Sequence, residues 1–447
     1  MPNLLKPIIQ EGLKLKAYLM NWIYNTITAF KIRDLRKKIL FVLFILGVFR
    51  VAAIIPIPGV NPAQLEAFFS SSQFLGILNI FSGGALSNLS IVMLGLGPYI
   101  TSTIILQLFT LIFPRLKELY EESGEEGKKK FNQYGRLLTV PLAALQGYGL
   151  MILFSRQGVL ILGSPFEQMA MLVSIVAGAI FLMWLGELIS EKGIGNGISL
   201  LIFTGIIASI PLSIQRAILT GTLSDIPMYL AFILISLFII ITVVFINEAR
   251  RNIPISYAKR VRGNRLFGGS TTFLPLSLIP AGVIPIIFAL SLVLFPGIVA
   301  NFLAGTTSAT LQSISSILNA FTENIVLFSS LYFLLVVGFT YFYTAIVFNP
   351  ANVAKNLQRN GGFIPGIRPG PPTAARISFI LNRTILVGAI FLGIIAIIPS
   401  VAQGSGLGGT TGSTSFIIGG TSVLIAISVI LETIRQIKAQ IVMRQYD

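Results

Sequence analysis

The sequence predicts an all-α polytopic membrane protein of ten transmembrane helices, and three observations carry that reading. Of its 447 residues, 54% are hydrophobic and 11% charged, with a mean hydropathy of +0.85; an average soluble domain carries more than twice that charge. Ten apolar windows of roughly 20 residues, bounded by charges, Gly or Pro, run near 38–57, 94–113, 137–155, 168–188, 197–214, 226–247, 279–298, 325–348, 378–399 and 416–434. The basic residues then fall almost wholly on one side of the alternation these windows impose.

Residues 1–37 precede the first span. Lys6, Glu11, Lys14 and Lys16 are mixed among apolar residues, which is not the basic start, short apolar core and small-residue site of a cleavable signal peptide. An uncleaved amphipathic helix lying on the membrane surface is expected.

The stretch from Phe81 to Leu108, FSGGALSNLSIVMLGLGPYITSTIILQL, reads as a short helix, a break at Gly95, Leu96, Gly97 and Pro98, and then a longer helix. From Phe81 to Val92 a helix rises only about 18 Å, short of a hydrocarbon core roughly 30 Å thick. Gly95 to Phe113 covers nearly the whole core, and Pro98 is tolerated in its first turn because the missing N–H had no partner there. Broken backbone at membrane depth persists only where protein buries it or it lines a cavity. Phe81–Val92 is therefore expected to line or stopper something hollow.

An even number of spans returns both termini to one side, and that side holds 28 of the 32 Lys and Arg. The opposite side has Arg156 and Arg216, while Arg50 and Arg383 lie inside apolar spans. By the positive-inside rule the termini are expected in the cytoplasm. The net charge of +16 is thus a topology signal and not one for nucleic acid. Glu118, Glu121, Glu122, Glu125 and Glu126 with Lys128, Lys129 and Lys130 read as a solvated inner segment. The outer loops are uncharged; Ser400–Thr414, rich in Gly, Ser and Thr, reads as a flexible linker.

Two inner loops are shaped as well as charged. Between spans six and seven, β-prone residues flank Gly263 and Asn264, a two-residue hairpin turn displaying Arg250, Arg251, Lys259, Arg260, Arg262 and Arg265. Between spans eight and nine, Pro365, Gly366, Pro369 and Gly370 fix turns around Arg368. Setting topology needs charge near helix ends but not a hairpin or rigid turn, so a docking surface for an acidic partner or an RNA backbone is expected.

The chain has no Cys and no His, which removes thiolate nucleophiles, imidazole bases and ordinary zinc sites. No cofactor is expected. The glycines of GIGNG (Gly193, Gly195, Gly197) precede a membrane span and lack the strand a dinucleotide fingerprint requires. Glu187 and Glu432 lie near span ends, so buried carboxylates for proton coupling are missing. Leu96 with Ile100, and Ile198 with Ile202, are aliphatic i, i+4 pairs on one helical face; spacing alone reads them as packing or lipid contact.

From about Asp34 onward the chain resembles the SecY family, the central channel subunits of the bacterial-type Sec translocon. The resemblance rests on FRVAAIIPIPGV, NIFSGGALSNLSIVMLGLGPYI, MWLGELISEKGIGNGISLLIF, ISYAKR, AGVIPIIFA, FYTAIVFNP, GFIPGIRPG and GGTSVLI. It implies two inverted five-helix halves, 38–214 and 215–434, around an hourglass pore, with a cytoplasmic tail at 435–447. It implies a plug at 81–92, including Phe81, Ser82, Gly83, Gly84, Ala85, Leu86, Ser87, Asn88, Leu89 and Ser90. Leu96, Ile100, Ile198, Ile202, Ile287 and Ile425 would form the pore ring. A lateral gate, with Thr101, Gln107, Ile279 and Ile284, would open between spans two and three on one side and seven and eight on the other.

Loops 248–274 and 349–377, through Arg251, Lys259, Arg260 and Arg368, would dock the SecA motor ATPase or the ribosome. The resemblance further implies SecE and SecG subunits, signal-sequence-bearing polypeptides as substrate, contact with lipid, and the plasma (inner) membrane of a bacterium. It implies no enzymatic activity. Three features depart from the family. The first thirty residues are longer than usual. Asn252 stands where many members have Arg. Ser277 and Ile279 stand where relatives often carry a basic residue and Asn, which removes a polar contact expected near Gln107. The alternative from the residues alone is a secondary transporter with broken helices, disfavoured by the missing buried carboxylates and the large inner loops.

Overall fold

The computed structural model describes residues 32–60, 65, 79, 82–121, 124–161, 163–220, 226–257, 260–262, 265–267, 271–280, 282, 284–303, 309–404 and 419–445. The expectations for residues 1–31, Phe81, Lys259, the 263–264 turn and 405–414 lie outside them.

Each apolar window overlaps a helix. The first half contains α1 (Arg33–Ala52), α2 (Gly97–Ile112), α3 (Pro114–Glu121), α4 (Gly124–Arg156), α5 (Pro165–Lys192) and α6 (Gly197–Thr220). The second contains α7 (Ile226–Glu248), α8 (Ile284–Leu303), α9 (Ala309–Glu323), α10 (Ile325–Val347), α11 (Pro350–Arg359), α12 (Pro371–Gly404) and α13 (Gly419–Gln445). Among the described residues, four helices, within 124–156, 165–192, 325–359 and 371–398, are long and apolar enough to cross a membrane. Residues 97–112 and 114–120 form a further pair bent by 116°, where Pro114 cannot donate to the helix before it. Pro211 and Pro296 interrupt α6 and α8, whose continuous apolar parts are shorter, at 197–211 and 284–297.

Side chains set several starts. Asn324 caps α10, accepting from the amides of Val326 and Leu327 at 3.1 and 3.2 Å; Asn349 does the same for α11 through Ala351 and Asn352, satisfying amides that lack an intrahelical acceptor. Span seven begins later than its window, because Pro280 and Pro285 flank a turn in which Gly282 has φ of 61°. Two stretches beyond the windows are also helical. α9 occupies the loop after span seven, its Ser315 hydroxyl donating to Ala300 O at 2.8 Å, and α12 continues through Ser400–Gly404.

Between the earlier and later helices of the chain, α8 lies against α2 and α4, and α13 lies against α6. Within the second half α10 runs along α12 and α7 along α13. One large apolar core crosses both halves, and a second fills the first half around residues 86–94.

The charged loop between α7 and α8 is built of strands, and the loop after α11 adds a short one to them, a departure from an all-α chain. β1 (Arg250–Tyr257) pairs antiparallel with β4 (Thr271–Ser277), Arg250 opposite Ser277 and Ser256 opposite Thr271. Between them β2 (Arg260–Arg262) pairs with β3 (Arg265–Phe267), Arg262 opposite Arg265, which brackets the expected two-residue turn. β5 (Gly362–Phe363), about a hundred residues on, adds to the other edge of β1.

Candidate functional site

Residues 82–92 form turns and not the short helix expected there, while the expected break is present at Gly95 and Leu96, just before α2 starts at Gly97. Gly83, Gly84 and Gly95 have φ of 71°, 82° and 59°, and Leu89 has φ of 40°. Such left-handed positions interrupt a right-handed helix, and at Leu89 the conformation is costly for a side chain. The lost helical bonds are replaced locally. Ser82 Oγ accepts from Leu86 N at 3.0 Å, and Asn79 Oδ1 accepts from Ser87 N at 2.8 Å. The segment also bonds to the end of span one: Ile57 N donates to Leu89 O at 2.8 Å, Ile91 N to Ile55 O at 3.0 Å, and Asn88 Nδ2 to Ala53 O at 3.3 Å.

Close backbone contacts seat both ends of this segment. The Cα of Gly83 touches that of Gly205 in α6, and a Cβ on Gly83 would meet Phe49 Cζ at 2.6 Å. Gly178 in α5 faces the Ile91 carbonyl so closely that no Cβ fits between them. Gly178→Ala should therefore cost about 1–3 kcal/mol through forced displacement, read as a lower thermal midpoint in detergent. An unchanged midpoint would mean that residues 91 and 92 yield freely.

The aliphatic residues singled out in sequence come together. Leu96, Ile100, Ile202, Ile287 and Ile425 are each at most 3% exposed and belong to one apolar cluster, with Ile198 half-buried against it. They arrive from the turn that caps α2 (Leu96) and from α2, α6, α8 and α13. Ala85 and Val92, both fully buried, belong to the same cluster.

Gln107 of α2 is buried and its Oε1 has no hydrogen-bond partner among the described residues. Ile279 is also buried and lies against Gly388 of α12, its Cγ1 3.2 Å from where a Cβ would stand there. Ile284 is half-buried at the start of α8, and Thr101 Oγ1 donates to Gly97 O at 2.9 Å.

The two charged loops are one platform. Ser256 pairs with Phe363 and Tyr257 with Gly362, and beneath that junction Ile253, Leu276, Ile364 and Ile377 form a small core of their own. Arg251 and Arg368 are exposed; Arg260 lies on β2. The turn carrying Arg368 is pinned by Thr373 Oγ1 donating to Arg368 O at 2.8 Å and Ile367 N donating to Ile364 O at 3.0 Å. The platform's root is tied to α13, since Arg435 donates to Glu248 Oε1 at 3.1 Å and to the Asn247 carbonyl.

Sequence reasoning noted Arg50 only as a charge inside a span. The structure places its Nη1 2.8 Å from Gly83 O. The available signal was the cost of an arginine at membrane depth, which marks a residue with a partner or a task.

Similarity to solved structures gives the class. A chain described by the words "The structure of a protein conducting channel" superposes with a TM-score of 0.59 over 90% of this chain and 91% of that chain, at 18% identity. Another, described by a plug domain of the SecY protein that stabilizes the closed state of the translocation channel and maintains a membrane seal, gives 0.62 with the same coverage and identity. The fold is that of a protein-conducting membrane channel. The SecY family model matches residues 90–434. The Protein translocase subunits SecY of Streptomyces coelicolor and Corynebacterium glutamicum are 43% identical over 438 residues and 40% identical over 444, each match covering 94% of this chain and 98% of the relative. The chain belongs to the SecY family. It is a membrane protein and a protein-translocation channel, not an enzyme.

Proposed function

We propose that this chain is the pore subunit of a bacterial plasma-membrane translocon, with both termini in the cytoplasm and ten spans in two inverted halves, 38–214 and 215–434. Unfolded secretory polypeptide passes through a ring of Leu96, Ile100, Ile198, Ile202, Ile287 and Ile425, and residues 81–92 plug that ring at rest. The observation carrying this reading is that ring residues from four helices share one buried cluster with Ala85 and Val92. Aliphatic side chains offer a sliding chain no charge or hydrogen bond to hold it, and they dewet when the pore is empty.

The α8 seam against α2 and α4 is the lateral gate, lined by Thr101, Gln107, Ile279 and Ile284. Through it apolar segments partition into lipid, favoured by about 0.3–0.6 kcal/mol for each Leu, Ile, Phe or Val. The strand platform at 248–274 and 349–377 docks the SecA motor or the ribosome through Arg251, Lys259, Arg260 and Arg368, and SecE and SecG complete the complex. Its support is the exposed charge on a braced scaffold, together with fold neighbours described as Sec61 in the canine ribosome-channel complex and the yeast Ssh1 complex bound to the 80S ribosome.

Proteoliposomes holding the native complex test the reading. Motor-driven protection of an unfolded precursor from added protease is expected; saturable uptake of a small solute without precursor protection would replace the channel by a transporter.

Gln107 makes a further prediction. Its buried, unpaired Oε1 weakens the closed seam, so Gln107→Leu should stabilise closure by about 1–3 kcal/mol, the typical cost of an unsatisfied buried acceptor. Export of weakly hydrophobic signal sequences should fall while strongly hydrophobic ones change little. Equal loss across a graded series would place Gln107 outside the gate.

A further inference from the structure

We propose that Arg50 is the latch that holds residues 82–92 in the closed channel, a positioning residue that acts on the plug and not on the translocating chain. The inference rests on the plug reading above. Arg50 lies in the last turn of α1, about 26 Å along the helix from Arg33 at 1.5 Å per residue, so it is near the far end of the span. Its guanidinium donates to Gly83 O at 2.8 Å, and no ion pair satisfies it among the described residues.

The adjacent residue completes the grip. Phe49 is 2% exposed, and its ring stands 2.6 Å from where a Gly83 Cβ would be, with the Gly205 Cα 3.1 Å from the same point. One residue of the segment is thus held three ways: its carbonyl by Arg50, its Cα by Phe49 and by Gly205. Phe49 and Gly205 set position by contact alone. Arg50 supplies the polar bond, and being half-buried in the last turn of α1 it can exchange the Gly83 carbonyl for water once residues 82–92 move, so the latch is reversible.

Passive ion leak through proteoliposomes tests this in a double-mutant cycle of the parent, Arg50→Leu, deletion of residues 83–92, and the two combined. Charge-assisted hydrogen bonds are strong enough that Arg50→Leu should raise the leak roughly tenfold. Arg50→Lys, which keeps one charged donor, should recover part of the seal. In the deletion background Arg50→Leu should add nothing, because its acceptor is gone.

An unchanged leak in Arg50→Leu, or the same fold-increase with and without residues 83–92, would overturn the latch and leave Arg50 as a charge complementing the end of α1. A deletion that itself stays ion-tight would overturn the plug reading and the latch with it, a result distinct from the other two. Arg50→Gln, measured alongside, covers the case in which Arg50→Leu does not fold.

Discussion

Deleting residues 83–92 converts an ion-tight channel into a leaky one while the spans stay folded, and this is the largest effect expected of any change to the molecule. Those residues contribute Ala85 and Val92 to the cluster that holds Leu96, Ile100, Ile202, Ile287 and Ile425, and Leu86 and Leu89 to the second core. Without them the ring alone must exclude water. A bare hydrophobic constriction gates only by dewetting, so conductance of small ions should rise by at least about tenfold, the change produced by about 1.4 kcal/mol in an open-to-closed ratio. The seat is also built to be left. Ser90 Oγ is buried with no partner among the described residues, and an unsatisfied buried hydroxyl costs about 1–3 kcal/mol. Vesicle dye or ion-flux assays read the outcome; a deletion as tight as the parent removes the plug assignment.

Charge reversal at Arg368 has the second-largest expected effect. The side chain is exposed on a turn in which Gly366 and Gly370 adopt φ of 79° and 101°, and Thr373 pins its carbonyl. The platform's own small core, Ile253, Leu276, Ile364 and Ile377, does not involve that charge. Arg368→Glu therefore leaves the scaffold standing and acts through the field it presents. Placing like charges together at an interface costs several kcal/mol, so affinity for a motor ATPase or a ribosome should fall at least about tenfold in low salt. The deficit should shrink as the screening length drops from about 30 Å at 0.01 M to about 3 Å at 1 M ionic strength. Unchanged affinity at low salt would leave Arg368 with a topological role only.

How much of this was legible in the chain differs element by element. Each apolar window overlaps a helix, though four helices among the described residues are long and apolar enough to cross a membrane, and the strands at 260–262 and 265–267 follow β-prone residues, because apolar runs and β-prone pairs act locally. Leu96, Ile100, Ile198 and Ile202 carry in their spacing no signal beyond packing; the ring reading comes from the family motifs around them. The break at Gly95 and Leu96 is legible from its glycines and proline, but the turns at 82–92 are not, since apolar periodicity cannot report that Leu89 adopts a left-handed conformation. The union of the two docking loops was hidden for a different reason. Ser256 and Phe363 are far apart in sequence, and a two-residue strand such as β5 has no pattern of its own. Arg50 was visible as an anomaly but not as a contact, because its acceptor is a backbone carbonyl that no side chain announces.

The measurement that bears most directly on the channel reading is single-cysteine cross-linking to a stalled, translocating precursor. The chain has no cysteine of its own, so each introduced thiol is the sole one in the subunit. Cysteines at Leu96, Ile100, Ile202, Ile287 and Ile425 should each capture the precursor. Cysteines at Trp184 and Leu237, which are 53% and 50% exposed on the outer surface of the helices, should not. Capture at the two outer positions with silence at the five buried ones would contradict a path through the ring.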